Sequence, residues 1–102
     1  MILRSWTAKA FPNKTKEFED FQLKFAFPIL QKQEGMVKVI MGKDSSDGVT
    51  RYLVTTIWKD LESMKKFTGE KWQEPVMHPD EEPLLDGKPR LEHFEVTGIA
   101  DL

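Results

Sequence analysis

The chain has 102 residues, a net charge of −2 from 15 basic and 17 acidic side chains, and no cysteine. That length supports a single domain spanning 1–102 with a modest core, and the missing cysteine excludes disulfides, thiolate metal sites and a thiol nucleophile. The interspersed, nearly balanced charge offers no footprint for nucleic acid, and no apolar run approaches the roughly 18 residues of a membrane span.

Residues 2–11 (ILRSWTAKAF) read as a first strand broken by Pro12-Asn13. The opening residues lack the basic region and apolar run of a signal peptide, so a soluble cytoplasmic protein is expected. A helix is expected over 14–33, capped by Asn13 or Thr15. Phe18, Phe21, Phe25 and Ile29 form one apolar stripe on it, and Leu23, Phe27 and Leu30 form another. Pro28 should kink this helix, because it has no N–H to donate and crowds the carbonyl of Lys24. Gly35 is a natural stop.

A second strand over 36–43 and a third over 49–58 flank the polar turn 43–48 as a hairpin. Asp60 should cap a helix over 61–68, with Leu61, Met64 and Phe67 inward and Gly69 at its end. Residues 70–74 are open to a further helical turn. Residues 75–89 hold four of the six prolines and should be an irregular loop. A last strand covers 90–97.

The resulting order is β-α-β-β-α-β, an α+β ferredoxin-like antiparallel sheet with helices on one face. Yet the strands are apolar on both faces. Tyr52, Val54 and Trp58 alternate with Leu53 and Ile57, and Val37, Val39 and Met41 stand against Met36 and Ile40. Two helices cover only one face, so a second copy is expected on the other, as a two-fold homodimer.

Four segments resemble the antibiotic biosynthesis monooxygenase (ABM) family of dimeric α+β barrels. They are Ile2-Leu3-Arg4-Ser5-Trp6; Phe27-Pro28-Ile29-Leu30 running on to Glu34-Gly35; Ile57-Trp58-Lys59-Asp60 running on to Phe67-Thr68-Gly69-Glu70; and Glu81-Glu82-Pro83-Leu84-Leu85 followed by His93-Phe94-Glu95-Val96. The resemblance spans nearly the whole chain. It implies a small-molecule ligand and one of two chemistries: oxidation of phenolic or quinol-type compounds by molecular oxygen with no metal or flavin, or haem binding and degradation. The haem-degrading members it resembles carry a tryptophan where this chain has Phe67, and both branches use a pocket asparagine; the only asparagine here is Asn13.

The residues themselves nominate a site. Arg4 and Trp6 share a face of the first strand with Ile2 and Ala8. A guanidinium among apolar residues needs a partner: either an anionic oxygen of a bound phenolate or enolate, or a carboxylate such as Glu92 or Glu95. His93 titrates near neutrality and could accept a phenolic proton, or could be a sheet histidine with a satisfied hydrogen bond. Trp6 is a candidate stacking wall, and Phe25 belongs to the core stripe first and a pocket lining second. Trp72 is either a core anchor or a stacking surface, and His78 stands at a pocket rim. The run from His78 to Glu82 lacks metal-ligand spacing and reads as solvated loop, so no metal is expected. No motif for flavin, nicotinamide or nucleotide is present. No cofactor is therefore expected under the oxygenase reading, and haem under the alternative. A third reading is a dimeric binding module with no catalysis.

Overall fold

The computed structural model describes residues 1–102. Strands β1 (Ile2–Lys9), β2 (Met36–Asp44), β3 (Arg51–Trp58) and β4 (Arg90–Glu95) form one antiparallel sheet in the order β2-β3-β1-β4. This is the expected ferredoxin-like α+β arrangement. Strand alternation sorts the residues. Arg4, Trp6 and Ala8 of β1 are buried, and they stand opposite Thr56, Val54 and Tyr52 of β3 on the helix-covered face.

The core lies toward one end of that face, where Trp6, Ala8, Ala10, Phe18, Tyr52, Leu84 and Leu85 cluster. Phe18 is fully buried, stacked on Trp6 with ring centroids 6.2 Å apart and edge-on to Tyr52 at 4.7 Å. Polar bonds hold the same helix to the hairpin: the Tyr52 hydroxyl donates to Glu19 Oε2 at 2.7 Å and Lys43 Nζ donates to Glu19 Oε1 at 2.9 Å.

The long helix expected over 14–33 is divided. A 3₁₀ turn (Pro12–Lys14) leads into α1 (Thr15–Phe21), a π-helical turn (Gln22–Ala26) and α2 (Phe27–Gln31). Neither Asn13 nor Thr15 caps it; the chain enters through the 3₁₀ turn, with the Lys14 N–H donating to the Phe11 carbonyl at 2.8 Å. The π turn is where Pro28 makes itself felt. A proline cannot donate to the carbonyl four residues back, and a wider five-residue bond, from the Phe27 N–H to the Gln22 carbonyl, takes up the mismatch. The widened turn also splits the apolar stripe: Phe18 enters the core, whereas Phe25 and Ile29 stay 41% and 37% exposed.

Three smaller expectations change as well. A bulge leaves Val37 without a partner, because Met36 faces Trp58 and Lys38 faces Ile57. Met36 therefore joins Val39 and Met41 on the helix-covered face, and Ile40 alone points the other way. Residues 70–74 form turns and no further helix. The loop 75–89 contains a 3₁₀ turn (Glu82–Leu84), and Leu85 bridges to Ala10.

Asp60 caps α3 (Leu61–Thr68) as expected, accepting from the Ser63 N–H at 2.8 Å, and Gly69 ends it with φ of 85°. The second sheet face is bare: Ile40, Leu53 and Phe94 are 53%, 38% and 51% exposed. No helix is long and apolar enough to cross a membrane.

Gly35 brings the chain after α2 against the start of α3. Its φ is 82°, its carbonyl accepts from the Lys59 N–H at 2.7 Å, and a Cβ there would overlap Ser63 at the start of α3. Gly35→Ala should lower the unfolding free energy by about 2–4 kcal/mol, from strain plus overlap. Gly69→Ala, with the same sign of φ but open space around it, should cost only about 1 kcal/mol. Urea denaturation of the two variants measures the difference.

Candidate active site

Between the sheet, the broken helix and the segment 76–81 lies a cavity of about 330 Å³. Twelve of its 18 lining residues are hydrophobic, with Trp6, Trp58, Phe21 and Phe25 supplying aromatic walls. The polar side chains on its surface are Arg4, Gln22, Thr56, His78 and Glu81. This composition suits a small, largely apolar ligand held by a few fixed polar groups. Thr56 is committed to the frame, since its Oγ1 accepts from the buried Trp58 indole N–H at 2.9 Å.

Arg4 is 7% exposed and has no carboxylate partner. Alternation places Glu92 on the opposite sheet face, across from Ser5, and Glu95 stands across from Ile2. The ion pair considered for Arg4 is therefore absent. Its cross-strand neighbour on β4 is His93. Nη1 donates to the Trp72 carbonyl and approaches His93 Nε2 at 2.8 Å, and Nη2 donates to the Glu74 carbonyl at 3.2 Å. Burial lowers the guanidinium to about 10, so it stays charged near neutral pH. Two carbonyl dipoles and an imidazole lone pair thus take the place of a counter-ion, and the positive charge on the cavity wall is not neutralised.

His93 is correspondingly assigned. Because Arg4 can only donate, His93 Nε2 accepts, and its proton sits on Nδ1. Burial, and then the Arg4 charge, hold its pKa below the ordinary imidazole value. The ring rests edge-on against Trp72 with centroids 5.0 Å apart, and neither residue lines the cavity. Arg4 and His93 do meet, but they meet each other. As a proton acceptor for a ligand, His93 lacks both a free Nε2 and a place on the cavity surface; its geometry positions Arg4.

His78 stands at the cavity edge, its side chain 40% exposed. It packs on Phe25 at 4.8 Å and Phe21 at 5.6 Å, while Nδ1 accepts from the Asp80 N–H at 3.1 Å. No group of three or more His, Asp or Glu side chains gathers here to hold a metal ion.

The sequence reading missed Glu81. Its sequence context reads as solvated loop, yet it is 8% exposed and lines the cavity. Desolvation raises its carboxyl to about 7, partly offset by a hydrogen bond from the His78 backbone. A signal was present in the sequence: residues three apart on a 3₁₀ turn share a side, and Leu84, whose N–H donates to the Glu81 carbonyl at 2.9 Å, is a core residue. Gln22, 6% exposed, was also missed; the π turn brings it to the cavity.

The fold is shared with solved structures over almost the whole chain. A candidate antibiotic biosynthesis monooxygenase from Nitrosomonas europaea superposes with a TM-score of 0.79, covering 96% of this chain and 100% of its own at 11% identity. SnoaB, a cofactor-independent oxygenase from Streptomyces nogalater, gives a TM-score of 0.69 over 96% and 94% of the two chains at 13% identity. The haem degrader MhuD from Mycobacterium tuberculosis, solved with two haems in its active site, gives 0.71 over 99% and 100% at 16% identity. These likenesses establish the ABM fold. No family model and no curated protein matches the sequence.

Glu81 makes a measurable difference to stability. Its folded-state pKa is raised, so it costs nothing below about pH 4.5, where it is protonated folded or unfolded, and destabilises the fold as pH rises through about 7. Glu81→Gln should therefore match wild type near pH 4 and exceed it above pH 8 by on the order of 2 kcal/mol. Urea unfolding at the two pH values reads this directly; a gain of equal size at both would show that Glu81 is not held in its neutral form by burial.

Proposed function

We propose that this protein takes a small planar phenolic or quinol-type compound into the cavity and oxidises it with molecular oxygen, as a monooxygenase that needs no cofactor. The observation that carries this reading is an unneutralised guanidinium on the wall of an aromatic-lined cavity. Arg4 is the contact for the anionic oxygen, Trp6 and Phe25 flank the ring, and His78 closes the rim. His93 and Trp72 act one step back, by holding Arg4 and the turn it binds.

The chemistry follows from what such a cavity does to an anion. Loss of the phenolic proton leaves an electron-rich ring, and Arg4 stabilises its charge in a largely apolar site. The ring anion passes one electron to molecular oxygen. The two radicals then combine to form a C–O bond, and loss of water breaks the O–O bond to leave a second ring carbonyl. One oxygen atom ends in the product and the other in water, so phenol and dioxygen yield quinone and water. The protein contributes position and preorganised charge.

The cavity favours a compact ligand over a haem. A volume of about 330 Å³ lies at the low end of small-molecule sites, which span roughly 300–1,000 Å³, and suits a ligand of one or a few fused rings. The cavity's one imidazole, His78, has Nδ1 engaged by the Asp80 N–H and its ring against Phe21 and Phe25 at the rim.

The bare sheet face supports the homodimer. Exposed Ile40, Leu53 and Phe94, with half-buried Leu3 beside Phe94, make an apolar surface that a second copy covers most simply by two-fold symmetry. Light scattering at micromolar concentration should return twice the chain mass; a monomer mass overturns the dimer.

Oxygenation is tested with a panel of naphthols in air and under argon. Turnover should require oxygen, and label from ¹⁸O₂ should enter the product once per molecule. Ile29→Trp, which fills the cavity from a half-exposed wall position, should abolish turnover while leaving the fold intact. Equal turnover in air and argon overturns the oxygenase reading.

A further inference from the structure

With His93 committed to Arg4, the proposed reaction still needs a group to receive the ligand's proton. The titratable side chains on the cavity surface are Arg4, His78 and Glu81. Arg4 is already cationic and cannot accept. His78 lies at the rim, more exposed than the rest, with Nδ1 engaged by Asp80. Glu81 remains. It is buried, it lines the cavity, and no ion pair neutralises it.

We infer that Glu81 is the catalytic base of this site, the carboxylate that takes the acidic proton of a phenolic ligand whose oxygen faces Arg4. The inference rests on the reading of the cavity as a site for a phenolic anion. In the step, the ligand O–H bond breaks, its electron pair stays on the ligand oxygen, and the proton forms a new O–H bond on the Glu81 carboxyl. Charge is conserved within the cavity: a negative carboxylate and a neutral phenol become a neutral acid and a phenolate, and the phenolate is the form that the Arg4 cation favours.

The construction of the turn makes the placement specific. Glu81 opens the 3₁₀ turn Glu82–Leu84, whose last residue, with Leu85, is anchored in the core beside Phe18. The carboxylate is thus carried by a fixed element rather than by a mobile loop. On α1, which also packs on this cluster through Phe18 and Phe21, the charged Lys16, Glu17 and Asp20 are exposed. A carboxyl held near 7 matches the demand on a general base working at neutral pH. This also explains why a carboxylate is kept where its ionised form destabilises the fold. Removing it would stabilise the chain at alkaline pH, as expected when a site residue is retained for its chemistry.

The test is a proton inventory with 7-hydroxycoumarin, a planar phenol whose neutral and ionised forms absorb at different wavelengths. Binding to wild type and to Glu81→Gln is followed by calorimetry at about pH 9 in two buffers of different ionisation enthalpy, and the absorption band of the bound probe is recorded. At that pH free Glu81 is ionised. Wild type should take up close to one proton per probe bound, with the probe in its ionised band, which places the proton on the protein. Glu81→Gln should bind the probe with uptake close to zero. Unchanged uptake in Glu81→Gln, or binding to wild type without uptake, overturns the assignment while leaving the anion site standing. No binding to wild type overturns the anion site as well, and the assignment with it.

Discussion

A guanidinium on an inner strand of a sheet must be solvated by something, and much of this molecule is arranged around how that is done. Arg4 lies on β1, between β3 and β4, with its side chain on the helix-covered face. No carboxylate meets it. The carbonyls of Trp72 and Glu74 and the lone pair of His93 do. Leaving a buried charge unpaired is costly, so this arrangement ties the turn after α3 to the end of the sheet. It also fixes the tautomer of His93. Because these partners are neutral, the positive charge is held in place without being cancelled, which is the condition for a cavity wall that attracts an anion.

The space beside Arg4 exists because the helix above it is not regular. An uninterrupted α-helix over 14–33 would continue the Phe18 stripe down onto the sheet. Pro28 prevents that, and the π turn over Gln22–Ala26 offsets the following residues. Phe18 therefore closes the core at one end, while Phe25, Ile29 and Leu30 become walls at the other. The 3₁₀ turn at Glu82–Leu84 closes the core end and carries Glu81 to the cavity. Core and cavity are two ends of one layer, divided where the helix changes pitch.

Two titratable groups on that layer are pushed by burial in ways that serve opposite ends of a proton transfer. Desolvation lowers Arg4 toward 10 without discharging it and raises Glu81 toward 7. A cation and an ionisable acid thus line one cavity with no ion pair between them. That separation leaves room for a ligand to complete the circuit. The same burial makes the site a weak point of the fold, since both groups would be easier to accommodate as apolar residues.

The amino-acid sequence determined the architecture: four strands from period-two alternation, the order β-α-β-β-α-β, the Asp60 cap and Gly69 stop of α3, and an apolar second face. Each of these depends on local chemistry or on the parity of a strand, which neighbours in the chain settle. It also singled out Arg4, Trp6, Phe25 and His78, all of which reach the cavity. Tertiary structure alone decided the partners. That Arg4 is met by His93 and two carbonyls, and not by Glu92 or Glu95, follows from the pairing of β1 with β4 and from where the 72–74 turn lands. That Glu81 is buried follows from Leu84 and Leu85 docking beside Phe18. Contacts between residues far apart in the chain set both, and no pattern within either segment records where the other will lie.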